Sequence, residues 1–283
     1  MKAVSIEDLS WQPYPGQRST TTEYLPLHKG EPGKPDNYEL TIVRIGADGN
    51  FSPRHRHNFE QIRWAFNHPV NYGPKLDLLP GQLGYFPEGG YYGPFSIPPG
   101  TEWLIVQFGG LSGAGYLSWQ ELMRGYLELK ELGEFKDGVY RSVKPDGKAF
   151  NKDGYEAVWE HVHHSTPIEY PTPKYPEPVI MNPAGFEWRA DPDDDGVLRR
   201  MLGTFGERGP SAQLVRLPPG GHYGGPRHSG TSLLAVVSGK VVTQDRSFPT
   251  RSAFALAPNE RAKISATRDA EAQLLVMNLP VFS

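Results

Sequence analysis

Cysteine is absent from the sequence. That absence removes disulfide bridges, thiolate metal centres and cysteine nucleophiles from consideration. Long apolar runs are also missing: Met1 to Trp11 carries no stretch of signal-peptide length, and nowhere does the chain hold the ~18 consecutive apolar residues of a membrane helix. Excess basic charge is lacking as well, with 29 Lys and Arg against 32 Asp and Glu for a net charge of −3. Nothing in that balance argues for nucleic acid as a partner. No Gly-x-Ser-x-Gly elbow occurs, so the usual serine acyl-enzyme design has no support. The expectation is a soluble, cytoplasmic protein that meets neither nucleic acid nor membrane.

What the chain has in quantity is punctuation. Its 283 residues include 32 Gly and 28 Pro, too many for long helices, and short runs of Val, Ile, Tyr and Phe lie between the turns. This pattern predicts an all-β plan built of antiparallel strands closed into a sandwich or barrel. Strands are expected at Glu39–Ile45, Gln61–Phe66, Gly84–Phe86 and Trp103–Phe108, and again at Gln213–Leu217, Leu233–Val237, Lys240–Thr243, Ala253–Leu256 and Leu274–Leu279. Between the two sets the period changes. Ser118 with Glu121 is a capping box, and Trp119, Leu122, Met123, Tyr126, Leu127, Leu129 and Leu132 follow at near-helical spacing up to Gly133. A second, shorter helix is expected from Asp153 through Trp159, followed by a strap carrying Pro167, Pro171, Pro173, Pro176 and Pro178. The organisation read from this is an extended arm with room for one edge strand over 1–38, a β-barrel over 39–112, a helical connector and proline-rich strap over 113–182, and a second barrel over 183–283.

Two glycine-framed segments carry the chemistry. Gly49, five residues, His55 and His57, then three residues to Gln61 form the first; Gly81, five residues, Pro87-Glu88-Gly89 and two residues to Tyr92 form the second. Histidines two apart on a strand share a face. In skeleton these segments resemble the paired motifs of the cupin superfamily. The C-terminal half resembles a second copy, with Gly220, Pro226-Arg227-His228 and Ser232, then Ser252, Pro258-Asn259-Glu260 and Lys263. The resemblance covers roughly 39–110 and 210–280 and implies a duplicated cupin of two jelly-roll barrels. Only His228 keeps a ligand identity in the second copy, which reads as structural.

For the first barrel the resemblance implies one divalent transition metal (Fe, Mn, Ni, Cu or Zn) held by three histidines and a glutamate, with no organic cofactor. Carried over by position, the ligand slots are His55, His57, Gln61 and Tyr92. Gln61 stands where the carboxylate would be and Tyr92 where the third imidazole would be, so the cation is less well neutralised than the pattern requires. A Tyr92 phenolate would restore that charge. Glu60, one residue early, faces away from His57 by strict alternation; a bulge would turn it inward and supply a carboxylate. Arg63 shares the parity of His57 and Gln61 and would then anchor an anionic substrate, unless a register change puts it on the surface. Tyr92, Glu60 and Arg63 are the candidate catalytic residues.

The resemblance implies a small-molecule enzyme, foremost a metal-dependent, dioxygenase-like oxidation of an aromatic or enol-type substrate. One alternative is a redox-neutral isomerase, cyclase or lyase with a weak metal or none, using His55, His57 and Tyr92 as acid and base. Another is a non-catalytic binding or storage protein, in which aromatic side chains would fill the cavity. His161, His163 and His164 read as an incidental cluster, and the Asp191–Asp195 run as a solvated turn without the closing glutamate of a calcium loop. Gly220 to Gly225 precedes no helix and is not a phosphate loop. A homodimer is plausible from the proline-rich arm and strap.

Overall fold

A computed structural model of the chain describes residues 1–14, 21–110, 116–143 and 147–282. It divides into two compact units, one of Trp11–Ile180 and one combining Met1–Ser10 with Met181–Ser283. The expected boundary at 112 and 113 lies outside the described residues. Among the described residues no helix is long and apolar enough to cross a membrane.

The first unit is built on a seven-stranded antiparallel sheet. We label its central strands β1 (Glu23–Lys29), β2 (Tyr38–Arg44), β3 (Phe59–Ala65), β4 (Leu83–Phe86) and β5 (Glu102–Gly109). Their order across the sheet is β4-β3-β5-β2-β1, with Val179–Met181 beyond β4 and Gln12–Pro13 beyond β1. One face carries Ile105, Trp103, Ala65 and Phe86, which pack with Val70, Leu78, Tyr92, Phe95 and Ile97 from the short strands closing the barrel. The other face, with Leu40, Ile42, Ile62, Leu104 and Val106, is equally buried. Burial of both faces extends to polar side chains: Glu39 and Thr41 on β2 and Glu60, Gln61 and Arg63 on β3 are buried among the apolar ones.

Residues 1–38, expected as one arm, contribute to both units. Lys2–Val4 pairs with Ala253–Leu256 in the C-terminal unit, while β1 is a full strand of the first sheet. The edge strand allowed for within the arm is therefore present, in spite of Pro26. The proline is tolerated because the outer neighbour of β1 reaches only Glu23 and Tyr24, and a bulge between Pro26 and His28 absorbs the misfit.

The connector contains both expected helices, α1 (Trp119–Lys130) and α2 (Gly154–Val162). Ser118 caps α1 with the reciprocal Glu121 bonds, and Asp153 caps α2 by accepting from the N–H groups of Tyr155 and Glu156. Between them lies a three-stranded meander, β6 (Gly133–Lys136), β7 (Val139–Val143) and β8 (Ala149–Asp153), that the helical reading missed. Asp137-Gly138, both at positive φ, form the tight turn between β6 and β7.

The second unit has the same plan. A seven-stranded sheet centred on Ser232–Ser238, Ala272–Asn278 and Ser211–Leu217 faces a four-stranded sheet, and Val215, Leu217, Tyr223, Leu234, Val236, Phe248, Phe254, Ile264, Leu274 and Val276 pack as one core. The interior is mostly aliphatic and aromatic; at one end of the same face lie Gln213 and a cluster in which Ser232 donates to Asn278 Oδ1 at 2.8 Å and Asn278 Nδ2 donates to Ser211 at 3.0 Å. His228 lies with Nε2 2.7 Å from the Leu279 carbonyl oxygen, a structural hydrogen bond. The Asp191 turn is local as well: Asp191 accepts from the N–H groups of Asp193 and Asp194, and Asp194 accepts from that of Gly224.

Gly89 fixes how the strap passes the first motif pair. Its φ is +70°, and a Cβ there would sit 2.1 Å from the Pro171 carbonyl oxygen. Gly89→Ala should therefore destabilise the first unit by about 2 kcal/mol or more, from left-handed strain plus displacement of the strap. Urea unfolding checks this, and an unchanged midpoint would contradict it.

Candidate active site

The sheet register assembles the site. Glu39 on β2, Gln107 on β5, Gln61 on β3 and Phe86 on β4 stand side by side in one row across the inner face. Arg63 stands in the next row, opposite Gly84. His55 and Tyr92 are joined by a two-way backbone bridge, 3.0 Å in each direction, and the Gly89 N–H donates to the His57 carbonyl at 2.7 Å. These bonds lace the two glycine-framed segments together and hold His57 and Tyr92 over Gln61.

A closed network results. Arg63 donates to Gln61 Oε1 twice, from Nε at 3.0 Å and Nη2 at 2.6 Å, and Nη2 also donates to Tyr92 Oη at 3.2 Å. Gln61 Nε2 donates to Tyr92 Oη at 3.2 Å and lies 3.0 Å from His57 Nδ1. The Tyr92 oxygen thus receives two N–H donors, and its own proton is directed to His57 Nδ1, 3.1 Å away. That assigns Nδ1 as acceptor and puts the proton of neutral His57 on Nε2. The guanidinium lies 4.1 Å above the Phe86 ring, a cation–π contact that fixes its plane. Phe59 stacks on the His57 ring at 4.5 Å, and Tyr155 meets it edge-on.

His57, Phe59, Gln61, Arg63 and Tyr92 line a cavity of about 120 Å³, closed by Gln107 and by Tyr116, Trp119 and Tyr155 of the connector. The connector covers it: Tyr116, Tyr155 and Ile168 pack with Phe59. Tyr155 donates to Asn58 Oδ1 at 2.9 Å. Burial pushes the hydroxyls of Tyr155 and Tyr116 well above the usual tyrosine range, with Glu39 adding to the effect on Tyr116. Both stay protonated and serve as neutral donors.

The residues at the ligand slots do not fit a divalent metal. The lone pairs of Gln61 Oε1 point at a guanidinium held 2.6 Å away, so the carbonyl is occupied and a fixed positive charge stands where a cation would bind. His57 Nδ1 already accepts within the network. His55 turns its Nδ1 to the Pro53 carbonyl at 2.7 Å and packs behind Tyr92, with ring centroids 4.4 Å apart, away from the cavity lining. Among the described residues no group of three His, Asp or Glu side chains is placed to hold an ion.

Of the remaining expected residues, Arg63 faces inward as its parity required. Glu60 does not. Strand β3 pairs with β4 and β5 without a register shift, so alternation holds and Glu60 lies on the opposite face. There its carboxyl, after burial itself, raises the Tyr85 hydroxyl far above the usual range. His161 bonds Glu128 at 2.7 Å and His163 stacks on Trp159, consistent with an incidental cluster. Sequence reasoning missed Gln107, Tyr116, Tyr155 and Glu39. The cross-strand row containing Gln107 and Glu39 follows from the β2, β3 and β5 registers, but the two tyrosines come from the connector, and no motif marks them.

Comparison with known structures agrees with this architecture. The chain aligns over 100% of its length with 86% of a Nostoc punctiforme protein provisionally assigned as a dioxygenase, at 9% identity and TM-score 0.58. It aligns over 99% with 87% of Lactobacillus farciminis oxalate decarboxylase in complex with formate, at 14% identity and TM-score 0.53. Bacillus subtilis oxalate decarboxylase, studied for its Mn(II) centres, matches over 100% of this chain and 78% of its own, at 13% identity and TM-score 0.52. The fold is that of a duplicated cupin. No family model and no curated protein matches the sequence. What the bicupin architecture shares with these proteins is therefore the fold, and the chemistry of this barrel must be read from its own side chains.

Two expectations follow. Protein equilibrated with Mn(II), Fe(II) or Zn(II) and then desalted should retain far less than one equivalent by elemental analysis; one tightly held equivalent would contradict the donor analysis. The second concerns Glu39, whose carboxyl is raised from 4.5 to about 7 by burial, against the opposing hydrogen bonds from Tyr116 and Trp119 and the charge of Lys29. Because the folded state holds this proton more tightly than the unfolded chain, stability falls as pH rises from the unfolded value through the folded one. Glu39→Gln should cancel a loss of about 3 kcal/mol spread between roughly pH 4.5 and 7. Denaturant unfolding at several pH values checks this; parallel pH profiles for the two proteins would contradict it.

Proposed function

We propose that the first barrel is a redox-neutral, cupin-type small-molecule enzyme that moves a proton on a small anionic substrate, in the manner of an isomerase or lyase. The observation that carries this is the Arg63 guanidinium, 5% exposed and bound to Gln61 and Tyr92 in the wall of the cavity. It gives the site a fixed positive charge where the superfamily pattern would have a metal. A carboxylate or enolate oxygen entering the cavity meets that charge in a water-poor, aromatic surrounding, where charge-assisted hydrogen bonds are strong. A space of about 120 Å³ suits a compound of a few heavy atoms. The small carboxylates in the names of the oxalate decarboxylases and their formate complex favour the same substrate class.

The proton path uses Tyr92 and His57. As the substrate oxygen draws the Arg63 N–H from Tyr92 Oη, the lone pair it leaves takes the substrate proton while the tyrosine's own proton passes to His57 Nδ1, 3.1 Å away, leaving the carbanion or enolate charge beside Arg63. Reversal at a different substrate atom gives an isomerised product; loss of a leaving group gives a lyase product. Gln61 fixes Arg63 and Tyr92 relative to each other. The metal-dependent dioxygenase reading has the Nostoc punctiforme protein and the Mn(II) centres of oxalate decarboxylase in its favour, but the occupied Gln61 carbonyl weighs against it. A storage role fits less well with a cavity that retains space among polar groups.

Formate serves as the probe of the anion site. Titration calorimetry should register its binding to the unmodified protein and a loss of tenfold or more in Arg63→Ala, the scale of one hydrogen bond to a charged group. Incubation of small 2-oxo acids in D2O should give deuterium incorporation next to the carbonyl, lost in Tyr92→Phe and His57→Gln. Equal formate affinity in Arg63→Ala, or oxygen consumption dependent on a bound metal, would overturn the proposal.

A further inference from the structure

Glu39 is a buried carboxyl that the proton path above does not use, and its position is unusual. It shares the inner row with Gln107 and Gln61, yet it also lines a second cavity, of about 320 Å³, with Gln12, Tyr24, His28, Lys29 and Asn37. Trp119 belongs to the walls of both cavities. Between them stands Tyr116, whose hydroxyl lies 3.3 Å from Glu39 Oε2 and 3.2 Å from Gln107 Oε1. One hydroxyl therefore touches a titratable group on the outer side and an amide carbonyl on the side of the barrel cavity.

We propose that Glu39 is the proton reservoir of the barrel cavity and that the Tyr116 hydroxyl is the link between them. The inference rests on the proton-transfer reading of the site and adds the group that exchanges its protons with solvent. In the transfer, the Tyr116 O–H proton passes to an acceptor in the barrel cavity, either the substrate carbanion or enolate or a water. Tyr116 oxygen takes the Glu39 carboxyl proton in the same event. Glu39 is left as carboxylate and regains a proton from water in the outer cavity, while the proton held by His57 leaves on the departing group of a lyase reaction or, in an isomerisation, returns to solvent by the same link run in reverse. No oxidant or reductant is involved, and Tyr116 ends as it began.

The surroundings of Glu39 suit that cycle. Lys29 faces it from β1, directly across the register, and favours the carboxylate. Tyr24 on the same strand is raised by burial and, in part, by the Glu39 charge. From the connector, Trp119 donates its backbone N–H to Glu39 Oε2 at 3.2 Å, and Gln107 on β5 carries no charge. Against the burial that disfavours the carboxylate, these contacts leave the group titrating at about 7, which keeps both protonation states populated near neutrality. Tyr116 is held far above that range and passes protons without resting as phenolate.

The test needs no substrate. Side-chain amide resonances of Gln107 should titrate by NMR with a midpoint near 7, because the Tyr116 proton redistributes between Glu39 and Gln107 as Glu39 ionises. That movement should vanish in Glu39→Gln and in Tyr116→Phe, while the Glu39 carboxyl carbon still titrates in Tyr116→Phe. A Gln107 signal flat across about pH 5–9, or one that keeps moving in Tyr116→Phe, would overturn the relay. A merely structural Glu39, anchoring the start of α1, would alter stability in Glu39→Gln without any Gln107 titration in the parent protein. Should Tyr116→Phe not fold, the Tyr116 Cζ resonance of the parent decides: it should titrate together with the Gln107 amide and stay flat in Glu39→Gln, and a Cζ signal flat in the parent would overturn the relay. Failure of formate to bind through Arg63 would sink the proposed function and leave this coupling standing; a flat Gln107 with formate binding intact would do the reverse.

Discussion

A guanidinium bound to a neutral amide carbonyl is the interaction on which the site depends. Arg63 reaches Gln61 Oε1 through two N–H groups, the shorter at 2.6 Å. A carboxylate at position 61 would accept the same two N–H groups but as an ion pair; the neutral Gln61 makes the contact without cancelling the guanidinium charge. That contact also orders the rest: with Gln61 Oε1 taken, its amide turns to Tyr92 and His57, and the Tyr92 proton is directed to Nδ1. The two substitutions in the superfamily pattern, Gln for a carboxylate and Tyr for an imidazole, are then one coordinated change. Together with Arg63 they convert a set of ion ligands into a hydrogen-bond chain around a fixed cation.

The scaffold explains why such a change is tolerated. Placement of these side chains comes from sheet register and from the backbone bonds between the two glycine-framed segments, not from a bound ion. Away from the site the barrel is filled by Trp103, Ile105, Ile97, Val70 and Leu78, whose burial does not depend on the polar network. In the second barrel the core is Val, Leu, Ile and Phe, the buried polar groups are the neutral Gln213 and the Ser232–Asn278–Ser211 cluster, and the surviving histidine is spent on a backbone carbonyl.

Much of this was legible in the sequence, and the remainder was hidden for identifiable reasons. Strand positions and the duplicated plan follow from glycine-framed spacing and apolar runs, because turn geometry is set locally. Parity alone put Arg63 with His57 and Gln61 and set Glu60 apart, and an unbulged β3 keeps it so. β1 was foreseen only as an edge strand without a position, because Pro26 breaks its apolar run and is accommodated by an open edge and a bulge. The meander at 133–153 was overlooked although Asp137-Gly138 marks its first turn. Glu39, Gln107, Tyr116 and Tyr155 could not be found by motif. They meet the site through pairing and packing across long sequence separations, which no local pattern encodes. His55 matched the pattern in letter, but its orientation depends on the Pro53 carbonyl, a contact the spacing does not reveal.

The most direct measurement is a crystal structure of the protein grown with both Mn(II) and formate, with anomalous scattering used to locate manganese. The account predicts formate on the Arg63 guanidinium, Gln61 Oε1 still accepting from Arg63, and no manganese within the first barrel. Manganese bound by Gln61, His57 and His55, with Arg63 swung away, would contradict it.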